Sequence, residues 1–306
     1  MRRFWPLLLF VIMLAIVWLA PQQRSPEPDS ASVSDYHRII SLSPSITETL
    51  CALGAGERLM AVTDYCDYPP GAQALPSVGG YTDTSLEAII SQQPDLVIML
   101  KGQQKLRQQL AELSIMTHSV DNSTLLGIQA GIASIGKITG QHKQAEALLA
   151  DIQHGIDEVT GKLSDQPPVR TLISIAHYVN SAQLETVYVA GQHDFYHDLL
   201  QLAGGENAYT GSHVMVPSVS REGIMRMDPD VIIDIFPDAK DHQSDMELVK
   251  QQWQDLETVS AVQSDRVHII ERDYASVPGP RVFQLLPLFA RLLHPQLRWP
   301  EVGSHD

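Results

Sequence analysis

The sequence predicts an α/β protein of two similar lobes with parallel sheets, joined by a single long backbone helix, with a ligand cleft between the lobes. Three observations predict it. Short, continuous apolar runs alternate with helical stretches in both halves of the 306-residue chain, the pattern of parallel strands covered on both faces. A helix–turn–strand segment in the first half recurs in the second. Between the halves lies one unbroken amphipathic stretch, the strongest helix signal in the chain.

The first twenty residues stand apart from this frame. Met1-Arg2-Arg3 is a positive end, and Phe4 to Ala20 is uncharged and apolar, interrupted by Pro6. That is an export signal or an N-terminal membrane anchor; the apolar run of about seventeen residues is at the short limit for a bilayer span. The Pro- and Ser-rich stretch over residues 21–36 is a polar linker. No cysteine follows the apolar run directly, which argues against a lipid-anchored terminus.

The N-terminal lobe is expected over residues 37–141, with strands at Arg38–Leu42, Leu59–Thr63, Leu96–Leu100 and Met116–Val120. The C-terminal lobe, residues 166–299, offers Val169–Ala176, Thr186–Ala190, Val231–Phe236 and Val267–Glu271 in the same style. Ser85–Ile98 and Ser220–Ile233 share Ser85/Ser220, Glu87/Glu222, Ile89/Ile224, Pro94/Pro229, Asp95/Asp230 and Ile98/Ile233. Each copy reads as a short helix stopped before Pro-Asp and followed by a branched-residue strand. Thr84 and Glu87 have the spacing of a capping box at the first copy's helix start. The connecting helix and its stop occupy residues 142–165: Ala145, Leu148, Leu149, Ile152, Ile156, Val159 and Leu163 keep three-and-four spacing from His142 onward. At 1.5 Å per residue such a helix is about 33 Å long, a stiff spacer that leaves a cleft with little hinge closure.

Composition narrows the function. Hydrophobic residues are 44% and charged residues 19%, ordinary for a globular chain. The formal charge of −15 argues against a nucleic-acid partner, which needs a clustered positive field. Cys51 and Cys66 meet an oxidising compartment if the chain is exported, so a disulfide is permitted, while Cys51 also suits a small buried position. Gly131–Ile138 matches most of a phosphate-binding loop, but Ile138 stands where a hydroxyl residue should hold magnesium. His193 and His197, four apart at a helix start, are weak metal candidates, with His177 and Tyr178 the nearest further donors; two ligands do not make a zinc site. There is no Gly-x-Ser-x-Gly elbow and no His-Glu-x-x-His, so binding without catalysis and without a resident cofactor is expected.

With these residues in view, the chain resembles the iron-chelate and cobalamin periplasmic binding proteins over about His37–Leu297. The carriers are Arg38–Pro69 (RIISLSPSITETLCALGAGERLMAVTDYCDYP), Val78–Ile98 (VGGYTDTSLEAIISQQPDLVI), Ala203–Asn207 (AGGEN) and Ser220–Ile233 (SREGIMRMDPDVII). DYCDYP and Arg272–Arg281 (RDYASVPGPR) look most like the cobalamin-binding branch. The resemblance implies ligand contacts at Tyr65, Tyr81, Tyr188 and the loop of Asp273, Tyr274, Ala275, Ser276 and Val277. It implies that Glu87 and Glu222 dock on arginines of an ABC importer's permease dimer. It implies a monomer, exported to the periplasm or tethered to the inner membrane, whose cargo is a metal chelate, a corrinoid first. Leu100 and Val216 stand where that branch can place tryptophan, Val277 replaces a basic residue, and additional residues occur around Val179–Thr186. A ferric siderophore or haem therefore stays open as cargo, with Tyr81 as an axial oxygen ligand for ferric haem.

Overall fold

The computed structural model describes residues 36–178, 183–211, 214–236 and 243–299. The expected export segment, the linker up to residue 35 and part of the additional segment, residues 179–182, lie outside the described residues. Among the described residues no helix is long and apolar enough to cross a membrane.

The first lobe runs β1 (Ile39–Ser41), α1 (Pro44–Ala52), β2 (Leu59–Ala61), α2 (Leu86–Ser91), β3 (Leu96–Leu100), α3 (Gln104–Glu112), β4 (Thr117–Val120) and α4 (Leu125–Ile138). Its four strands lie in the order β2-β1-β3-β4, every pairing parallel. The phosphate-loop look-alike is the interior of α4, where Gly131 and Gly136 are buried in the helix face. Gly136 is required there, since a Cβ would lie 2.4 Å from that of Ala145. α5 (His142–Leu163) follows with the bounds read from the periodicity, burying Ala145, Ile152, Val159 and Leu163 on one seam.

The second lobe continues with β5 (Val169–His177), β6 (Thr186–Val189), α6 (Phe195–Leu202), β7 (Gly205–Asn207), β8 (Ser218–Ser220), α7 (Arg221–Met227), β9 (Val231–Ile235), α8 (Gln243–Gln254), α9 (Ser260–Gln263), β10 (Val267–Ile270) and α10 (Leu285–Leu293). Here the all-parallel expectation needs a correction. β10, β9, β5 and β7 are mutually parallel neighbours, but β6 runs antiparallel to β5 and β8 antiparallel to β6. Eight residues, 178–185, join β5 to β6. A parallel crossover needs about a dozen or more, so the strand must turn back. β7 and β8 carry polar residues in three-residue strands and have no apolar run to announce them.

The repeated segment is a structural repeat. Ser85 and Ser220 are the two N-caps, accepting from Ala88 N at 3.1 Å and from Gly223 N at 3.3 Å. This corrects the capping-box reading: the Thr84 hydroxyl donates to the Gly80 carbonyl at 2.6 Å, leaving the cap to Ser85. Ile89 and Ile224 are fully buried. Gln93 and the matching Asp228 both take left-handed backbone, φ 49° and 43°, which ends each helix before Pro-Asp. The Asp95 N–H then donates to the Arg38 carbonyl and the Asp230 N–H to the Arg170 carbonyl. Each unit thus docks on its lobe's first strand, pairing β3 with β1 and β9 with β5.

One apolar core crosses the lobe boundary. It includes Ile39, Leu50 and Ile98 of the first lobe, Ile152 and Val159 of α5, and Ile173, Leu199, Ile233 and Phe289 of the second. Each sheet's other face has its own cluster, around Val97 and Ile89 in one lobe and around Leu172 and Trp253 in the other. Cys51 is half-buried and Cys66 buried, and both are free thiols rather than a bridge. The Cys66 sulfur instead sits 3.2 Å from the hydroxyls of Thr47 and Thr63.

Candidate ligand site between the lobes

Parallel strands deliver their C-terminal ends to one edge of a sheet, and crevices beyond those ends are where open α/β folds bind ligands. Here the ends of β3 and β4 place Leu100 and Val120, and the loops after them place Lys101, Gly102 and Asp121–Ser123, on one wall of a cleft of about 550 Å³. The facing wall is Ile175 of β5, Asp194, Phe195 and Tyr196 at the start of α6, Met215 and Val216 from an irregular loop, and Ser276 and Pro278. The volume is that of a small-molecule site, and its apolar side chains suit the faces of a flat, largely apolar ligand.

The polar groups of the walls are mostly engaged. Asp121 accepts from the Ser123 hydroxyl at 2.6 Å and N–H at 3.1 Å and pairs with Lys101 at 3.3 Å. Those Ser123 hydrogen bonds, with Lys101, hold its carboxyl below the usual carboxylate range. The Asn122 amide donates to Ser45 Oγ at 2.7 Å. Asp194 caps α6, taking His197 N–H at 2.9 Å on one oxygen and Gly191 N–H at 3.1 Å on the other. Burial nevertheless lifts its carboxyl to about 6. The buried Tyr196 hydroxyl donates to the Ala275 carbonyl at 2.7 Å, and burial raises its pKa.

The structure distributes the expected contact residues unevenly. Tyr81, 48% exposed, and Ser276 line the cleft. Tyr65 is 68% exposed, its ring lying over Gly80 next to Tyr81: a Cβ on Gly80 would be 3.4 Å from Tyr65 Cε2. Tyr188 is half-buried in β6 opposite Ala176 and Ser218. Asp273 pairs with Arg281 at 2.8 Å, Tyr274 is half-buried against the shared core, Ala275 is buried, and the Val277 N–H returns to the Tyr274 carbonyl. Glu87 and Glu222 are exposed in the first turns of α2 and α7. The Glu222 carboxyl is held low by its own backbone N–H and by the Ser220 hydroxyl.

His193 and His197 fall on either side of the cap Asp194, and His177 turns into the lobe, 2.9 Å from Asp234, which also accepts from Trp253 Nε1. Among the described residues no group of three metal-ligating side chains occurs. Sequence reading missed Asn122, Ile175, Asp194, Phe195, Tyr196 and Met215. The strand-to-helix junction before Phe195 is the one local signal that points there; Met215, in an irregular loop, has none.

Two further contacts missed by the sequence join the lobes beside this cleft. The Arg281 Nε and Nη2 donate to the two carboxylate oxygens of Glu48 in α1 at 3.1 and 2.6 Å. Across the seam the Leu125 N–H, at the start of α4, donates to Asp198 of α6 at 2.9 Å.

The periplasmic binding protein family matches residues 39–274. The vitamin B12-binding protein of Pectobacterium atrosepticum is 30% identical over 260 residues, 83% of this chain and 87% of its own length. Among solved structures, the periplasmic vitamin B12 binding protein of Vibrio cholerae superposes with a TM-score of 0.73 at 24% identity, covering 86% of this chain and 99% of that one. A periplasmic heme binding protein from Pseudomonas aeruginosa gives 0.71 at 22% identity, covering 86% and 94%. With a family match over most of its length and a relative at this level of identity, the chain belongs to the periplasmic binding protein family.

Proposed function

We propose that this protein is an extracytoplasmic solute-binding protein that captures a metal-chelate nutrient, a corrinoid, in the cleft between its lobes and delivers it to an inner-membrane ABC importer. The observation that carries the reading is the cleft: an open, mainly apolar space of about 550 Å³ between two lobes that share one core. Its apolar side chains offer a macrocycle dispersion contact and burial, and Tyr81 offers a ring and a hydroxyl at its edge. The resemblance of the chain to vitamin B12-binding proteins supports a corrinoid as the first cargo to try.

Binding without chemistry fits the wall groups, because both Asp194 oxygens accept backbone N–H groups and the Tyr196 hydroxyl is donated to a carbonyl. Tyr65, Tyr188 and the Asp273–Val277 loop remain part of the proposed contact set, acting from the cleft's margins. A monomer acts in the periplasm, held there free or through the apolar N-terminal segment. Glu87 and Glu222, at matching exposed helix starts, dock the two lobes on the two halves of a permease dimer through charge. A second cargo, ferric haem, is favoured by the half-exposed Tyr81 hydroxyl at the cleft.

Calorimetric titration of the domain from Tyr36 onward with cyanocobalamin, haem and a ferric siderophore tests this. Saturable one-to-one binding of cyanocobalamin is expected; heat from haem alone, lost in Tyr81→Phe, replaces the corrinoid by the second cargo. Silence with all three removes the chelate reading.

A further inference from the structure

Arg281 lies at the seam between the lobes, and its surroundings go beyond a surface ion pair. Its Nε and Nη2 form a fork on Glu48 of the first lobe, and its Nη1 donates to Asp273 of the second at 2.8 Å. The Tyr68 ring, from the first lobe's loop after β2, stacks on the guanidinium at 3.6 Å, and Tyr274 stands 5.6 Å away. The pair is enclosed: the side chains of Glu48 and Arg281 are only 3% and 15% exposed. Beside it Gly279 brings backbone directly onto α1, where a Cβ would lie 3.2 Å from Ser45 Cα and 3.3 Å from Glu48 Oε2.

A buried ion pair is a poor way to add stability, since apolar residues of similar volume often do as well or better. Its distinctive property is geometry: a planar fork accepts one arrangement of its partners. The segment it fixes carries Ser276 and Pro278, which form part of the second lobe's cleft wall, while Ser45, against Gly279, holds Asn122 of the first lobe's wall. One guanidinium therefore ties together segments that carry parts of both walls.

We propose that Arg281 is a positioning residue: its fork on Glu48 and Asp273, stacked by Tyr68, clamps a loop of each lobe and thereby sets how slowly a ligand leaves the cleft. The ligand half of this inference rests on the cleft being the binding site; the clamp itself does not.

Two measurements separate those halves. Hydrogen exchange on the ligand-free protein compares wild type with Glu48→Gln, which keeps shape and removes charge, and Arg281→Lys, which keeps charge and removes the fork. A first-lobe change, Glu48→Gln, is expected to speed exchange across the seam, over residues 273–279, by about tenfold, with the amides of β3 and β9 unchanged. Unchanged exchange in that loop, or an equal rise in β3 and β9, overturns the clamp, the second because it reports general loosening. Stopped-flow release of cyanocobalamin is expected to quicken by about tenfold in both variants, with association altered by less than about twofold. Release at the wild-type rate from a variant whose loop is loosened overturns the link to ligand exit. If cyanocobalamin fails to bind the wild type, the corrinoid reading falls, and the exchange comparison alone decides the clamp.

Discussion

The two lobes carry the same helix–turn–strand unit at the same place and yet build different sheets around it. The first is four parallel strands. The second keeps β10, β9, β5 and β7 parallel and adds an antiparallel pair, β6 and β8. What is repeated is framework: the Ser caps, the buried isoleucines, the left-handed residue before Pro-Asp. What is not repeated is the cleft wall, which the first lobe makes from strand ends and their loops, and the second from a helix start, an irregular loop and the segment before Arg281. The difference teaches that the frame tolerates divergence where the ligand meets it.

The sharpest test of the shared frame is its matched core. Ile98 and Ile233 occupy equivalent places, both fully buried in the cluster that spans the lobes. Truncation of either to Ala is expected to cost about 2–5 kcal/mol. Because the core is common, circular dichroism in urea should show one transition in both variants; two separate transitions would break the comparison into independent lobes.

The walls should respond unequally. A Cβ at Gly191 would meet the backbone oxygens of Val214 and Met215 at 2.2 and 2.6 Å, whereas at Gly102 it would meet only the Tyr81 hydroxyl at 2.6 Å, the end of a side chain that can swing away. Gly191→Ala is expected to cost about 1–3 kcal/mol and to displace the Met215 loop. Gly102→Ala should cost within about 0.5 kcal/mol. Melting temperatures and cyanocobalamin affinity measured together on the pair check this.

The walls also differ in the sign of their pH response. The Asp194 carboxyl is raised to about 6 from an ordinary 3.8, so the folded state holds a proton that the unfolded chain has released. Its contribution is present below the unfolded value and is lost as pH rises from about 4 to about 6, by about 3 kcal/mol. Asp121 is lowered, so its contribution is present above the unfolded value and disappears as pH falls through the folded one. Asp194→Asn keeps a competent cap and should flatten the pH 4–6 decline in urea-unfolding free energy, leaving the acid limb unchanged.

A modest effect is expected at the repeated caps. Ser85→Ala and Ser220→Ala should each cost about 1 kcal/mol, and by the same amount if the two units are equivalent. A cost at Thr84 in place of Ser85, read by thermal melts, would restore the capping-box assignment that the Thr84–Gly80 hydrogen bond displaces.

Much of the frame was legible because its signals are local. α5 follows from three-and-four apolar spacing, β3 and β9 from branched runs after Pro-Asp, and the repeat from identities in register. β6 was legible as a strand but not in direction, which depends on the length of the connection rather than on its own residues. β7 and β8 were not legible, since Gly205–Asn207 and Ser218–Ser220 are short and polar. For the site, Tyr81 and Ser276 were named from resemblance and line the cleft. Asp194 and Phe195 carried only the signal of a helix start and Met215 none, because a cleft wall needs only that side chains converge in space.

The amino-acid sequence by itself determined the two-lobed α/β frame, its connecting helix and the repeated helix–strand units, since periodicity and branched runs act over a few neighbouring residues. Only the tertiary structure decided which side chains face one another across the lobes. Glu48 and Arg281 are 233 positions apart, and neither residue type nor spacing foretells their fork. Burial of that pair, the single core beneath it and the walls it aligns are products of packing, which is where distant residues acquire their partners.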